Sequence, residues 1–254
     1  MLAVNGTSRQ ALQAANCGSR ILYQEVELIA VIVPAHNEEE HIGACLDAVN
    51  QASHSRLLLD EPVALIVVTD ACTDRTGVIA RRMGATVIEV NERNVGKARA
   101  VGAECALVTG ARWLAFTDAD SVVGCDWLAA QLTLACDAVC GTVEVNDWGD
   151  YGDRMQRHYQ LTYTDADGHR HIHGANLGVS ASAYCRVGGF QPLSSSEDVA
   201  LVEALLRSGA SVAWSAAPRV VTSSRKTFRA PAGFGATLER IARESDAAVD
   251  GPLR

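Results

Sequence analysis

Residues 113–121 read WLAFTDADS, an apolar run that ends in two aspartates, Asp118 and Asp120, with Ala119 between them. Carboxylates so close repel one another, so the pair either caps a turn or shares a cation. Two earlier apolar runs also end in polar groups, Pro34-Ala35-His36-Asn37-Glu38 and Thr69-Asp70. Glu197 and Asp198 open a later helical stretch. Acids there either favour the positive end of the helix dipole or serve as a general base. In Gly96-Lys97 the lysine is either a point charge for a phosphate or a solvated surface cation. His169, His171 and His173 alternate. On a strand they would share a face and invite a metal; the competing reading is a loop of surface histidines.

The elements that must position these residues alternate along the chain. ELIAVIVP (27–34) is a continuous β-branched run, as in a strand covered on both faces. The following HNEEEHIGACLDAVNQA carries a helical stripe at Ile42, Leu46 and Val49, with Asn37 as its N-cap and acids in its first turn. Further strands are expected at 62–70, 85–90 and 112–118, and helices at 73–84 and after the loop NERNVG. This order implies βαβ units and a mostly parallel sheet flanked by helices, an α/β Rossmann-like architecture. Ligands on such sheets bind beyond the carboxyl ends of the strands, where all three polar termini lie.

Past residue 120 the texture changes. A helix is expected over 126–138 and a strand over 139–146; the polar, aromatic stretch up to His173 has no clean period. Order resumes with GANLGVSASAYCRVGGF. A helix follows, with an N-cap before Glu197, a stripe at Val199, Val202 and Leu206, and a closing Gly209. SVAWSAA and RVVTSS read as strands, before a basic RKTFR and a final helix. The expected organisation is an arm at 1–26, one compact unit over 27–222 and a helical extension at 223–254. Within the unit, 27–120 forms a nucleotide-type half and 121–222 completes the site.

Composition narrows the partners. The chain has 254 residues, 48% hydrophobic and 20% charged, with six prolines, as expected of an ordinary globular protein with a sizeable core. A net charge of −8 argues against nucleic acid and against nonspecific adhesion to anionic lipid, leaving only a local, peripheral membrane contact. No apolar stretch approaches the roughly 20 residues of a membrane span, and the N-terminus lacks the pattern of a secretory signal. The eight cysteines are scattered through apolar contexts, which suggests buried reduced thiols and a cytoplasmic protein. Cys136-x-x-x-Cys140 lacks zinc spacing.

VIVPAHNEEEHIGACLDAV, VVTDACTDRTGVIARRMGATVI, NVGKARAVGAE, WLAFTDADS, GANLGVS…VGGF and EDVALVEALLRSG, in this order and spacing, resemble family 2 glycosyltransferases over roughly residues 27–222. The resemblance implies a GT-A fold, a nucleotide diphosphate sugar donor, a divalent cation (Mg²⁺ or Mn²⁺) and sugar transfer with inversion. It implies that Asp118 and Asp120, flanking Ala119, grip the metal and the diphosphate. It places Pro34, Ala35, His36 and Glu38 against base and ribose, and Asp70 against the base. Lys97 would meet a phosphate, and Gly174, Ala175 and Asn176 would line the sugar and acceptor site. Asp198 matches the catalytic base, with Glu197 as the alternative. Family members often supply a later histidine to the metal; none follows His173, which leaves His173 or water for that position. Arg225, Lys226 and Arg229 could clamp the diphosphate or face water.

Two departures matter. The family pattern V-D-D-G-S-T-D reads Val68-Thr69-Asp70-Ala71-Cys72-Thr73-Asp74 here, leaving the base open and Asp74 as a helix cap. The Gln-x-x-Arg-Trp motif of processive polymer synthases is absent, which favours single-sugar transfer. The acceptor, whether small molecule, lipid-linked or glycan, would be chosen largely by 146–173 and the C-terminal tail. The competing readings are a retaining transferase on the same fold and a noncatalytic sugar-nucleotide-binding protein. A Rossmann dehydrogenase is disfavoured, because no Gly-x-Gly-x-x-Gly follows the first strand.

Overall fold

β1 (Leu28–Ala35) is buried almost throughout, with Ile29 to Val33 fully so, because each face meets its own layer of helices. Ile29, Val31 and Val33 pack with Ile42, Leu46 and Val49 of α1 (Ile42–Ser53). Ala30 and Ile32 join a second cluster on the opposite face. β2 (Val63–Asp70), α2 (Thr76–Arg82), β3 (Thr86–Val90), α3 (Val95–Val108) and β4 (Ala111–Phe116) follow. α3 contributes Ala98, Ala103 and Ala106 to the second cluster, small residues that let its backbone approach the sheet closely. These contacts come from a computed structural model that describes residues 28–146, 148 and 152–223.

The second half supplies β5 (Ser121–Val123), α4 (Trp127–Thr133), β6 (Ala138–Glu144), α5 (Gly152–Thr162), β7 (Leu177–Ser180), α6 (Ala181–Arg186), α7 (Glu197–Arg207) and β8 (Val212–Thr222). All strands join one eight-stranded sheet in the order β3-β2-β1-β4-β7-β6-β8-β5. Together with the flanking helices it is a GT-A sheet, as expected. The first four neighbours are parallel. Beyond β4 the pairing is mixed: β7 runs antiparallel to β4 and β6, β8 parallel to β6, and β5 antiparallel to β8. The mostly parallel expectation therefore describes the first half. In the second half long connections that contain α5, α6 and α7 return the chain in antiparallel as well as parallel sense.

Several boundaries differ from expectation, each for a local reason. α1 starts at Ile42 with no acid in its first turn. Asn37, expected as its cap, lies at φ 52° and accepts the Thr73 amide on Oδ1 at 2.7 Å, so it ties two loops together instead. α4 ends at Thr133. The two strand-like segments after α7 form one strand, β8, whose pairing with β6 shifts between Gly141 and Thr142 to absorb residues 216–218. α5 lies in the stretch without a clean period. The arm at 1–26, the extension beyond 223 and Arg225 lie outside the described residues. Among the described cysteines, all free, Cys45 and Cys140 are buried, whereas Cys125 and Cys185 are exposed, so the expected burial is only partial.

Candidate active site

Because β2, β1 and β4 are neighbours, their polar ends meet at one edge of the sheet. The loops after β1 and β2 are laced together. His36 donates from Nδ1 to the Asp70 carbonyl at 2.5 Å, and Asn37 N–H donates to Cys72 Sγ at 3.2 Å. Glu38 N–H donates to Thr76 Oγ1 at 2.8 Å, and Glu39 N–H to Asp74 Oδ2 at 3.0 Å. The Cys72 thiol donates to the carbonyl of Ala35, next to buried Pro34. Asp74, expected to cap α2, lies one residue before the N-cap Arg75 and accepts the Thr76 amide and hydroxyl at 3.0 and 2.6 Å. Partial burial opposes its ionisation, but these Thr76 bonds and the Glu39 amide outweigh that and hold its carboxyl below the usual range. Glu38 is buried beside His41 at 3.3 Å, whereas Glu39 pairs outward with Arg75 at 3.1 Å.

Asp70 is buried, and its carboxylate fastens the loop ahead of α3. Oδ1 accepts the amides of Glu92 (2.7 Å) and Arg93 (2.8 Å), and Oδ2 that of Asn94 (2.8 Å). Asn94 in turn caps α3, accepting the Lys97 amide at 2.9 Å, and Lys97 itself is exposed.

The decisive contact comes from a residue to which the sequence pattern assigned no role. Arg99, on the buried face of α3, is 3% exposed. Its Nη2 donates to Asp118 Oδ1 at 2.5 Å, and its Nη1 donates to Glu197 Oε1. A guanidinium among Ala98, Gly102 and Ala103 was the signal available, since a buried arginine requires carboxylate partners. Gly174 leaves room for it: a Cβ there would fall 2.4–2.5 Å from the guanidinium atoms. Burial pushes the Glu197 carboxyl upward, Arg99 draws it back down and Asp198 raises it again; the net position is above the ordinary range. Asp198 is only half-buried; Oδ2 accepts the Gly174 amide at 2.7 Å and Oδ1 the Val199 amide at 2.8 Å.

Two expected site residues take other duties. Asn176 is fully buried: its amide donates to the carbonyls of Thr142 and Pro218, both at 2.7 Å, and its Oδ1 accepts Trp127 Nε1 at 2.9 Å. Its polar atoms are occupied inside the scaffold, so it pins β6, β8 and α4 rather than facing a sugar. Neighbouring Ala175 is likewise buried in the core. His173 Nε2 shares a hydrogen bond of 3.0 Å with the Tyr163 hydroxyl, whose oxygen also accepts the Val143 amide. Burial, reinforced by His171 and His169, pushes it down to about 3. The three histidines stack in a row, with ring centres of neighbouring residues 5.4 and 5.9 Å apart. Among the described residues no three His, Cys, Asp or Glu side chains converge on a point that could hold a metal. Neither the histidine row nor His173 joined to the aspartates therefore forms a ligand cage.

Asp118 and Asp120 themselves suit a hard cation that brings its own phosphate and water. Both are partly exposed, and buried Ala119 anchors the turn between them. The Cys45 thiol donates to the Asp118 carbonyl at 3.3 Å. Burial, then Asp118 and Asp120, raise the pKa of that thiol far above normal.

The profile of Glycosyl transferase family 2 matches residues 30–188. The 4,4'-diaponeurosporenoate glycosyltransferase of Staphylococcus aureus is 41% identical over 69 residues, which cover 27% of this chain and 16% of that protein. The chain thus aligns with about a sixth of that curated relative. A structure of a mannosyltransferase, PcManGT from Pyrobaculum calidifontis, in complex with GDP-Man and Mn²⁺ superposes with a TM-score of 0.61 at 21% identity, covering 89% of this chain and 76% of that one. S. aureus TarS 1–349 in complex with UDP-GlcNAc gives 0.61 at 16% identity, covering 89% and 68%. A longer TarS chain gives 0.58 at 16% identity and is covered over only 40% of its length. These likenesses show the fold. The profile match runs from β1 through α6 and takes in both aspartates after β4, and on that extent the chain belongs to glycosyl transferase family 2.

Proposed function

We propose that this chain transfers a single sugar from a nucleotide diphosphate sugar to a hydroxyl acceptor by an inverting single displacement assisted by Mg²⁺ or Mn²⁺. The observation that carries this reading is the bridge from Asp118 through Arg99 to Glu197, beside Asp198, at the edge where β1, β2 and β4 end. It brings a diphosphate grip and a candidate base to one crevice. Asp118 and Asp120 would hold the cation, which when bound neutralises charge developing on the departing diphosphate. The loop carrying Pro34, Ala35, His36 and Glu38, and the loop that Asp70 anchors, form the base and ribose side. Lys97 would serve a phosphate as a point charge.

Asp198 is the base. Glu197 is committed to Arg99 and 3% exposed, whereas Asp198 is the more accessible of the two acids. Asp198 would take the acceptor hydroxyl proton as that oxygen attacks the anomeric carbon, on the face opposite the diphosphate. Among solved structures of the same fold, one holds GDP-Man with Mn²⁺ and another UDP-GlcNAc, which supports a sugar nucleotide as donor and leaves its base open. The acceptor, a small molecule, a lipid-linked compound or a glycan, would enter beside 146–173. The proposed setting is the cytoplasm; no helix among the described residues is long and apolar enough to cross a membrane.

Asp198→Asn tests the assignment. Donor affinity should hold within about threefold while kcat falls by roughly 10²–10⁴-fold, the range of a lost general base. Near-normal turnover would remove Asp198 from that role, and a product retaining the donor's anomeric configuration by NMR would overturn the inverting displacement.

A further inference from the structure

We propose that Arg99 is a positioning residue that locks the aspartate turn after β4 to the first turn of α7, and so sets the distance from the diphosphate grip to Asp198. This rests on the transfer reading above. The two carboxylates it bridges belong to different halves of the chain, 19 and 98 residues away. The planar guanidinium can fork between two carboxylates at fixed angles, which an ammonium cannot do. Among the described residues its Nε has no hydrogen-bond partner, and the bonds its guanidinium makes there all lie at the crevice end. Phe190 lies under the cation with its ring centre 5.9 Å from Cζ.

α3 holds the approach to α7 by other contacts as well. Gly96 N–H donates to the Leu193 carbonyl at 3.2 Å, and Asn94 Nδ2 donates to that of Pro192 at 3.1 Å. A Cβ on Gly96 would lie 2.4 Å from the Gln191 carbonyl oxygen and 2.7 Å from that of Leu193, so helix and loop pack backbone to backbone. With the loop before α3 already fastened by Asp70, one helix connects the donor side, the aspartate turn and the acid pair. A buried ion triad contributes little net stability compared with apolar packing, which directs attention to what it orients.

The alternative is that Arg99 only neutralises the buried Glu197. Arg99→Met, Arg99→Lys, Arg99→Met/Glu197→Gln and Gly174→Ala separate the two. The double variant removes the unpaired buried acid and should recover the wild-type Tm, so the test survives if Arg99→Met alone fails to fold. Positioning predicts that kcat for donor turnover in the double variant stays at least 30-fold down while donor KM moves less than threefold. Arg99→Lys should recover less than a tenth of wild-type kcat. Gly174→Ala, which keeps the arginine but fills the space of its head, should reproduce the loss. Independently of activity, amide hydrogen exchange in the double variant should speed up both at 118–121 and at 197–201. Exchange altered at neither segment or at one alone, or near-normal kcat in the refolded double variant, would overturn the proposal. A wild-type chain that turns over no nucleotide sugar would instead defeat the transfer reading, with the exchange result still standing as a measure of the lock.

Discussion

At Ala71 the backbone sits at φ 52°, a left-handed conformation that costs a residue with a Cβ about 1 kcal/mol or more. The family pattern puts glycine here, and the alanine keeps that backbone shape: its amide still donates to the Val90 carbonyl at 2.8 Å. The alanine thus holds a left-handed backbone that glycine would adopt without strain. Ala71→Gly should stabilise the chain by about 0.5 kcal/mol, the relief of strain being partly offset by greater freedom of the unfolded glycine. Equilibrium urea denaturation measures it; a loss of stability would mean that the methyl packs favourably enough to outweigh the strain. Asp70 and Asn176 carry a related lesson. Each matches a donor-site motif, yet each spends its polar atoms on scaffold groups far along the chain. Residue type and spacing do not reveal which partner a polar side chain reaches.

At the scale of elements, α1 was legible because its apolar stripe recurs at helical spacing. α7 was legible as a helix, but of its expected stripe only Val202 is buried, Val199 and Leu206 being exposed while Leu201 and Leu205 face the core. α5 was not legible, since only Met155 and Tyr159 of its residues are buried. Their partners Val145 and Trp148 come from outside the helix, so the apolar periodicity is too sparse to read. α5 leads into the histidine row, where His171 accepts the Thr164 amide on Nε2 at 3.2 Å and His173 bonds the Tyr163 hydroxyl. A ring nitrogen that accepts a hydrogen bond carries no proton, so this packing needs the His171 ring neutral, while burial keeps His173 neutral. Burial lowers the pKa of both, of His173 to about 3. The unfolded chain therefore binds more protons between pH 6.5 and 3. The stability contributed by His173 is complete above pH 6.5 and is lost as pH falls towards 3, at up to about 1.4 kcal/mol per pH unit, and His171 adds in the same direction. Tm should drop between pH 7 and 5, and His173→Phe should flatten that slope; an unchanged slope would place the acid sensitivity elsewhere.

For the whole molecule, the neighbouring positions of β2, β1 and β4 turn three separate strand ends into one crevice, and the antiparallel return through β7 delivers Gly174 beside Arg99. A donor binding there links to global stability, because a ligand that binds only the folded state raises the apparent stability, by about 2.7 kcal/mol at a hundred times its Kd. A cognate nucleotide sugar with Mn²⁺ should accordingly raise Tm by several degrees, and Asp120→Ala should abolish the metal-dependent part without lowering the unliganded Tm. A Tm rise in that variant that Mn²⁺ still enhances as much as in the wild type would remove Asp120 from the cation site.

What the sequence determined by itself was local: apolar runs that must be buried strands, stripes that must be helix faces, and carboxylates standing where those strands end. These are legible because side-chain periodicity and turn chemistry act over a few residues. The tertiary structure alone decided which of those polar groups meet. Arg99 reaches Asp118 and Glu197 only once α3, β4 and α7 have packed, while Asn176 and His173 are drawn away from the crevice by partners in other elements. Burial supplies the physical reason. A buried charge or amide must find a partner wherever the fold brings one, and a pairing across 98 residues leaves no periodic trace in the chain.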